Sequence, residues 1–170
     1  MTDRVEQLIA AWQSELPEVL GPGTELVKRV LVLAADLDAA TRRELPAFDL
    51  TPAEYEVLVG LRRSGPPYRL KPGELGRALL LSSGGTSNIV NRLTARGLVT
   101  RESDPDDGRG TLICLTEQGG RLAEAAVKAS SAAHEEVFAD LPPEVLRTAT
   151  EALREVFAVL DRPRRGVWSA

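Results

Sequence analysis

Residues 82–119 read SSGGTSNIVNRLTARGLVTRESDPDDGRGTLICLTEQG, and the fold turns on this stretch. Ser82 supplies a helix-capping hydroxyl, Ile89, Val90 and Leu93 mark one helical face, and Gly97 suits a C-terminal cap. Pro72, Glu74, Leu75, Ala78 and Leu79 form a short helix just before it. The two helices meet at a tight turn around Leu80 to Ser83, which is helix-turn-helix spacing. Leu98–Glu102 and Thr111–Leu115 are β-prone and flank the turn-rich run Ser103 to Gly110, so a β-hairpin follows the second helix directly, as a wing does. Arg109 is expected at the hairpin tip, between two glycines.

Toward the N-terminus, Thr51-Pro52-Ala53-Glu54 is a strong helix start, with Thr51 as cap, Pro52 at the first helical position and Glu54 reaching back. Tyr55, Leu58 and Leu61 give that helix an inward face before Gly65-Pro66-Pro67 ends it. Asp3 and Glu6 have capping-box spacing ahead of a short amphipathic helix over about Arg4–Leu16, with Val5, Leu8, Ile9 and Trp12 on one side. Leu26, Val30, Leu33 and Leu37 then mark a long helix ending near Pro46. Beyond Thr116 the chain is helical again, broken at Pro142-Pro143, with Leu146, Leu153 and Leu160 at heptad spacing. The fold class is mainly α with a small β-wing. The terminal helices carry an apolar side with no sheet to cover it, which a second copy or a bundle within one chain would satisfy.

The 170 residues are of single-domain size and ordinary globular composition. The longest apolar run, Val30 to Ala35, is far too short to span a bilayer, and the acidic residues of the first twenty positions do not suit a signal peptide, so a cytoplasmic location is expected. A single cysteine, Cys114, and a single histidine, His134, argue against a disulfide framework and a structural metal, and no cofactor is implied. Cys114 reads as a small buried residue of the second wing strand, and His134, beside Glu135 and Glu136, as solvated. No nucleophile, base and acid fall into a recognisable catalytic arrangement, and the tail from Arg162 to Trp168 reads as a frayed end.

The net charge of −4 hides an asymmetry: Arg62 to Arg101 carries +7, leaving −11 for the remainder. A basic face on an acidic body suits a polyanion. The outward candidates of the second helix are Ser83, Thr86, Ser87, Asn88 and Asn91, polar groups of the size that meets base edges or phosphates in a major groove. Arg109 suits a narrow minor groove, and Asp107 can orient it or pair with Arg92 to hold the wing against the helix.

The segments LTPAEYEVLVGLRRSGPPYRLKPGEL, LLLSSGGTSNIVNRLTARGLVTRESDPDDGRG and LTEQGG, within Leu50 to Gly119, resemble MarR-family winged-helix transcription regulators. The Asp-x-Arg wing motif of that family is matched by Asp107-Gly108-Arg109. The resemblance implies a single MarR-like domain, with residues 1–46 and 117–162 as dimerisation helices, 50–116 as the DNA-binding lobe and 163–170 as a tail. It implies a homodimer on a palindromic double-stranded operator, with Ser83, Thr86, Ser87, Asn88, Asn91, Arg92, Asp107 and Arg109 serving DNA.

Trp12, RRSGPPYRL and LSSGG further resemble the urate-responsive branch, whose members sense urate through a tryptophan, an aspartate and two arginines. Carried over by motif, the tryptophan falls on Trp12, the aspartate on Glu56, the second arginine on Arg101 and the first on Ile89. Losing that arginine leaves an anionic ligand undercompensated, which points to a less charged or more apolar aromatic effector sensed by Trp12, Glu56 and Arg101. An ion pair between Glu56 and Arg101, and Trp12 as a staple for the first helix, are the structural alternatives. The expected function is a ligand-responsive transcriptional regulator, a repressor rather than an enzyme. The competing reading is a winged-helix protein-interaction module without sequence-specific DNA binding.

Overall fold

The computed structural model describes residues 3–79, 83–105 and 107–160, and gives the backbone alone at 77–79, 83, 84, 108 and 109. In order the elements are α1 (Arg4–Glu15), a 3-10 turn (Pro17–Val19), α2 (Thr24–Glu44), a second 3-10 turn (Leu45–Phe48), α3 (Pro52–Arg63), β1 (Arg69–Leu70), α4 (Pro72–Leu79), α5 (Ser83–Ala95), β2 (Val99–Asp104), β3 (Asp107–Leu115), α6 (Glu117–Val137) and α7 (Pro143–Leu160). The chain is therefore mainly helical with one small antiparallel sheet, as expected. It divides into two compact units, one running through His134 and the other beginning at Glu135. No helix among the described residues is long and apolar enough to cross a membrane.

Local chemistry fixes the helix starts. Asp3 accepts from the amides of Val5 and Glu6 while Glu6 reaches back to the Asp3 amide, a complete capping box on α1. Thr51 and Glu54 close the same reciprocal box on α3, with Pro52 inside the first turn. Gly97, at φ 69°, takes the left-handed conformation that ends α5. Thr116 caps α6 by accepting from the Gly119 amide at 3.0 Å, and its hydroxyl donates to the carbonyl of Gly97 at 2.8 Å. Gly119 must be glycine for space: a Cβ there would collide with the Leu98 carbonyl oxygen. The LTEQGG motif thus locks the start of α6 onto the exit of α5.

The core lies among α3, α4, α5 and the sheet, where Leu58, Leu61, Leu75, Leu93, Val90 and Ile113 are sealed from solvent. Each such leucine contributes about 1.5–3 kcal/mol of burial. The sheet order is β1-β3-β2, with β2 and β3 paired from Val99↔Leu115 to Asp104↔Asp107. Two features depart from the sequence reading. The strands extend to Asp104 and from Asp107, so Arg109 lies within β3 and not at the hairpin tip, because the register breaks between Ser103 and Asp104 and brings Asp104 opposite Asp107. A third strand, β1, pairs Arg69 with Cys114 and Leu70 with Ile113. The expected cap at Ser82 and the turn between α4 and α5 lie outside the described residues at 80–82.

In the first unit, α1 and α2 are joined at the surface by Arg29 to Asp3 at 3.2 Å and by an ion pair between Arg4 and Asp36. They bury little: Val5 on α1 and Ala40 on α2. His134 is half-buried rather than solvated, since its Nε2 donates to the Leu37 carbonyl at 3.1 Å and lies 2.8 Å from the Thr41 hydroxyl. In the second unit, α7 exposes Val145, Leu146, Phe157, Val159 and Leu160 and buries none of its residues.

Candidate nucleic-acid interface

Helix α5 presents Ser87, Asn88, Asn91 and Arg92 on one exposed face, at spacings of one, four and five residues. Its other face, Ile89, Val90 and Leu93, enters the core. Thr86 goes with that inner face at 2% exposure, which corrects its place among the outward residues. Thr86 precedes Ile89 by three residues and Leu93 by seven, so helical phase puts it inside. Ser83 begins α5, and its side chain lies outside the described residues, as does that of Arg109.

The orientation of α5 is set from two sides. From α3, the Glu54 carboxylate meets Arg92 Nε at 3.1 Å and an Arg96 guanidinium nitrogen at 3.8 Å, while also accepting from the Thr51 amide at 2.9 Å. Glu54 is only 4% exposed, yet burial, which alone would raise its pKa, is outweighed by the Thr51 amide, the Thr51 hydroxyl and the Arg92 guanidinium. Its carboxyl is therefore held below the usual range and stays ionised. Arg96 also reaches Asp49 at 3.3 Å. From the wing, Arg101 on β2 donates to Asn91 Oδ1 at 2.7 Å. At the far end of the wing, Lys71 pairs with the buried Asp104 at 2.8 Å, and that bond, followed by the charge of Asp104, raises the lysine pKa.

These pairs revise three expectations. Arg92 is engaged by Glu54 and not by Asp107. Arg101 is bonded to Asn91, so the alternative of a Glu56–Arg101 ion pair gives way to a link between wing and helix, and Glu56 is exposed on α3. Much of the basic surplus is met by acids: Arg62 by Glu124, Lys71 by Asp104, and Arg92 and Arg96 by Glu54, all from outside the basic window. Glu54 was legible only as a capping residue. Its second role depends on partners 38 and 42 positions away, which no local signal reveals.

The expected sensing residues are not brought into one pocket. Trp12, 42% exposed, lines a cavity of about 630 Å³ with Leu16, Val19, Leu20, Val27 and Lys28, formed by α1, the first 3-10 turn and α2. Neither Glu56 nor Arg101 lines it. Ile89, where the resemblance placed an arginine, is packed into the core of the lobe. Cys114 is buried as expected, and burial, then Glu102, pushes its thiol pKa up. No cluster of metal-ligating side chains occurs among the described residues.

Two short helices followed by a hairpin packed on the second define a winged helix-turn-helix protein. Residues 48–110 match the family model described as MarR family. The HTH-type transcriptional regulator PecS of Dickeya dadantii is 24% identical over 73% of this chain and 75% of its own length. The multiple antibiotic resistance protein MarR of Escherichia coli is 29% identical over 66% of this chain and 72% of its own. The crystal structure of wild-type MarR from E. coli in its apo form superposes with a TM-score of 0.70 at 26% identity, covering 77% of this chain and 95% of that one. Fold, wing and relatives together define a winged helix-turn-helix chain whose lobe is similar to that of MarR-family transcription regulators.

Proposed function

We propose that the protein is a ligand-responsive repressor that binds a palindromic operator as a homodimer. The exposed polar face of α5 carries this reading: Ser87, Asn88, Asn91 and Arg92 are directed to solvent while Glu54 and Arg101 hold the helix from either side. One α5 per protomer enters each of two major grooves about 10 base pairs apart, with Ser83 at its start and Arg109 reaching a flanking groove from β3. Asp107, at the start of the same strand, serves the wing. The exposed apolar side chains of α1, α2 and α7 supply surface for a second copy to cover. Repression follows from occupancy of the promoter, and the protein works in the cytoplasm where its DNA lies.

The effector is a small aromatic or otherwise apolar molecule with one anionic group, because the cavity beside Trp12 is lined by leucine and valine with Lys28 as its one cation among the described residues. The effector acts by population shift, favouring a dimer whose recognition helices mismatch the operator; tenfold weaker DNA binding requires about 1.4 kcal/mol of coupling. Fluorescence anisotropy against the chain's own upstream DNA and a scrambled duplex, over a salt series, tests the DNA reading. Tighter binding to the native duplex with a steep salt slope is expected, and Arg109→Ala should weaken binding and flatten the slope. Equal, weak binding to native, scrambled and randomly selected duplexes would instead favour a winged-helix protein-interaction module. For the effector, aromatic monocarboxylates and urate are titrated into the complex. Lys28→Gln should blunt release while leaving DNA affinity unchanged.

A further inference from the structure

We propose that Arg101 makes Asn91 a donor-only reader of DNA, so that the operator position facing Asn91 carries guanine, and that loss of Arg101 moves the preference there to adenine. The inference rests on the reading that α5 enters the major groove.

Asn91 is exposed on α5, one turn beyond Ser87, and Arg101 is exposed on β2, with a guanidinium nitrogen 2.7 Å from Asn91 Oδ1. Only Arg96, Gly97 and Leu98 separate α5 from the start of the wing, so the strand carrying Arg101 is tethered beside the helix carrying Asn91. A guanidinium has five N–H donors and no acceptor. Whichever way an amide is drawn, its oxygen must face the arginine and its NH2 must face away. The orientation of Asn91 is thereby fixed by the chemistry of its partner.

An unconstrained asparagine reads adenine with both ends of its amide, accepting from N6 and donating to N7. Here the accepting end already holds a cationic donor. A second donor, adenine N6–H, would have to approach the same oxygen against the positive hydrogens of the guanidinium. The remaining edge offers two N–H donors backed by the Arg101 charge, which complements the two acceptors of guanine, O6 and N7. Arg101 is thus a positioning residue that sets base choice through Asn91.

The experiment is selection from a pool of random duplexes by the full-length protein, with binding and thermal melting measured for wild type, Asn91→Ala, Arg101→Ala and Arg101→Lys. The position that loses its preference in Asn91→Ala is the one Asn91 reads. Wild type should favour guanine there, Arg101→Ala should change the guanine-to-adenine ratio about tenfold toward adenine with other positions intact, and Arg101→Lys, also a donor without an acceptor, should retain guanine. An adenine preference in wild type overturns the proposal. So does an unchanged base in Arg101→Ala, or a uniform loss of affinity showing that Arg101 only supports the fold. If Asn91→Ala alters no position, Asn91 touches only the backbone and the proposal again falls. Failure of the wild type to enrich any motif would overturn the underlying DNA reading instead, a result distinct from all of these.

Discussion

The winged lobe and the N-terminal helix pair belong to the same compact unit, yet they are finished to different degrees. In the lobe, α3, α4, α5 and the sheet seal Leu58, Leu61, Leu75 and Leu93 completely and satisfy a buried carboxylate, Glu54, with named donors. In α1 and α2, the apolar stripes that the sequence provides remain open, with Leu26, Val27, Val30 and Leu31 exposed and Leu31 at 59%. Both regions have regular helices and a complete capping box, on α1 in one and on α3 in the other, so local helix chemistry does not account for the difference. Tertiary cover does. The lobe holds its shape by internal packing, whereas the helix pair carries about 1.5–3 kcal/mol per large side chain of burial still to be gained from another surface. This division suits the proposed function, in which a rigid reading head is kept while the distance between two such heads is adjusted.

The largest effect should come from violating the tight packing of the lobe. Gly119→Ala drives a methyl group into the Leu98 carbonyl, an overlap of Cβ with backbone that no rotamer relieves. It should cost about 3 kcal/mol or more, read as a fall in the urea midpoint. Gly21→Ala, at a site where an added Cβ meets nothing within 4 Å, should change stability by less than about 0.5 kcal/mol. Equal effects would erase the contrast between sealed and open regions. The open region is probed next by Leu31→Asp. If a second copy covers α2, a buried aspartate in place of leucine should weaken self-association about 30-fold, about 2 kcal/mol, in a sedimentation dilution series. A wild type that is monomeric at all concentrations would show that the exposed stripe serves something other than dimerisation.

What the sequence made legible follows the range of each interaction. The Asp3–Glu6 and Thr51–Glu54 boxes, the Pro142-Pro143 break and the glycine stop at Gly97 all act over three or four residues, and each is found where its spacing places it. The wing was visible as two β-prone runs around a turn-rich segment, but its ladder runs further than propensity suggested. Strand β1, only two residues between Pro67 and Pro72, is too short to show any alternation. The site was legible as a helix face and illegible as a network. Helical phase placed Ser87, Asn88 and Asn91 outside, and applied with more care it also places Thr86 inside. That Arg92 would meet Glu54, that Arg101 would meet Asn91, and that His134 would bond across to Leu37 depends on three-dimensional proximity. The sensing trio shows the same limit. The Trp12 cavity is built from neighbours between Leu16 and Lys28, so its local part can be read from the chain, while Glu56 and Arg101 were attached to it by resemblance alone.

Glu54 sharpens the comparison most finely, because it tests whether the lobe is held by its electrostatics as well as by its packing. Glu54→Gln keeps the shape and an oxygen for the Thr51 amide but removes the charge that meets Arg92 and Arg96. At pH 7 the loss should be about 1 kcal/mol, since Arg92 is largely exposed and regains water while the capping bond partly survives. The pH dependence carries the sign. The folded-state pKa of Glu54 lies below its ordinary value of 4.5, so its ionised form contributes stability that is present above 4.5 and is lost as pH falls through the folded value. The gap between wild type and Glu54→Gln should therefore be constant from about pH 7 to about pH 5.5 and close as the wild-type carboxylate takes up its proton in more acid solution. A gap independent of pH would assign the effect to shape and capping geometry alone. A gap that closes, together with weaker operator binding by Glu54→Gln at pH 7, would show that one buried carboxylate both stabilises the lobe and sets the rotation of α5, the helix proposed to read DNA.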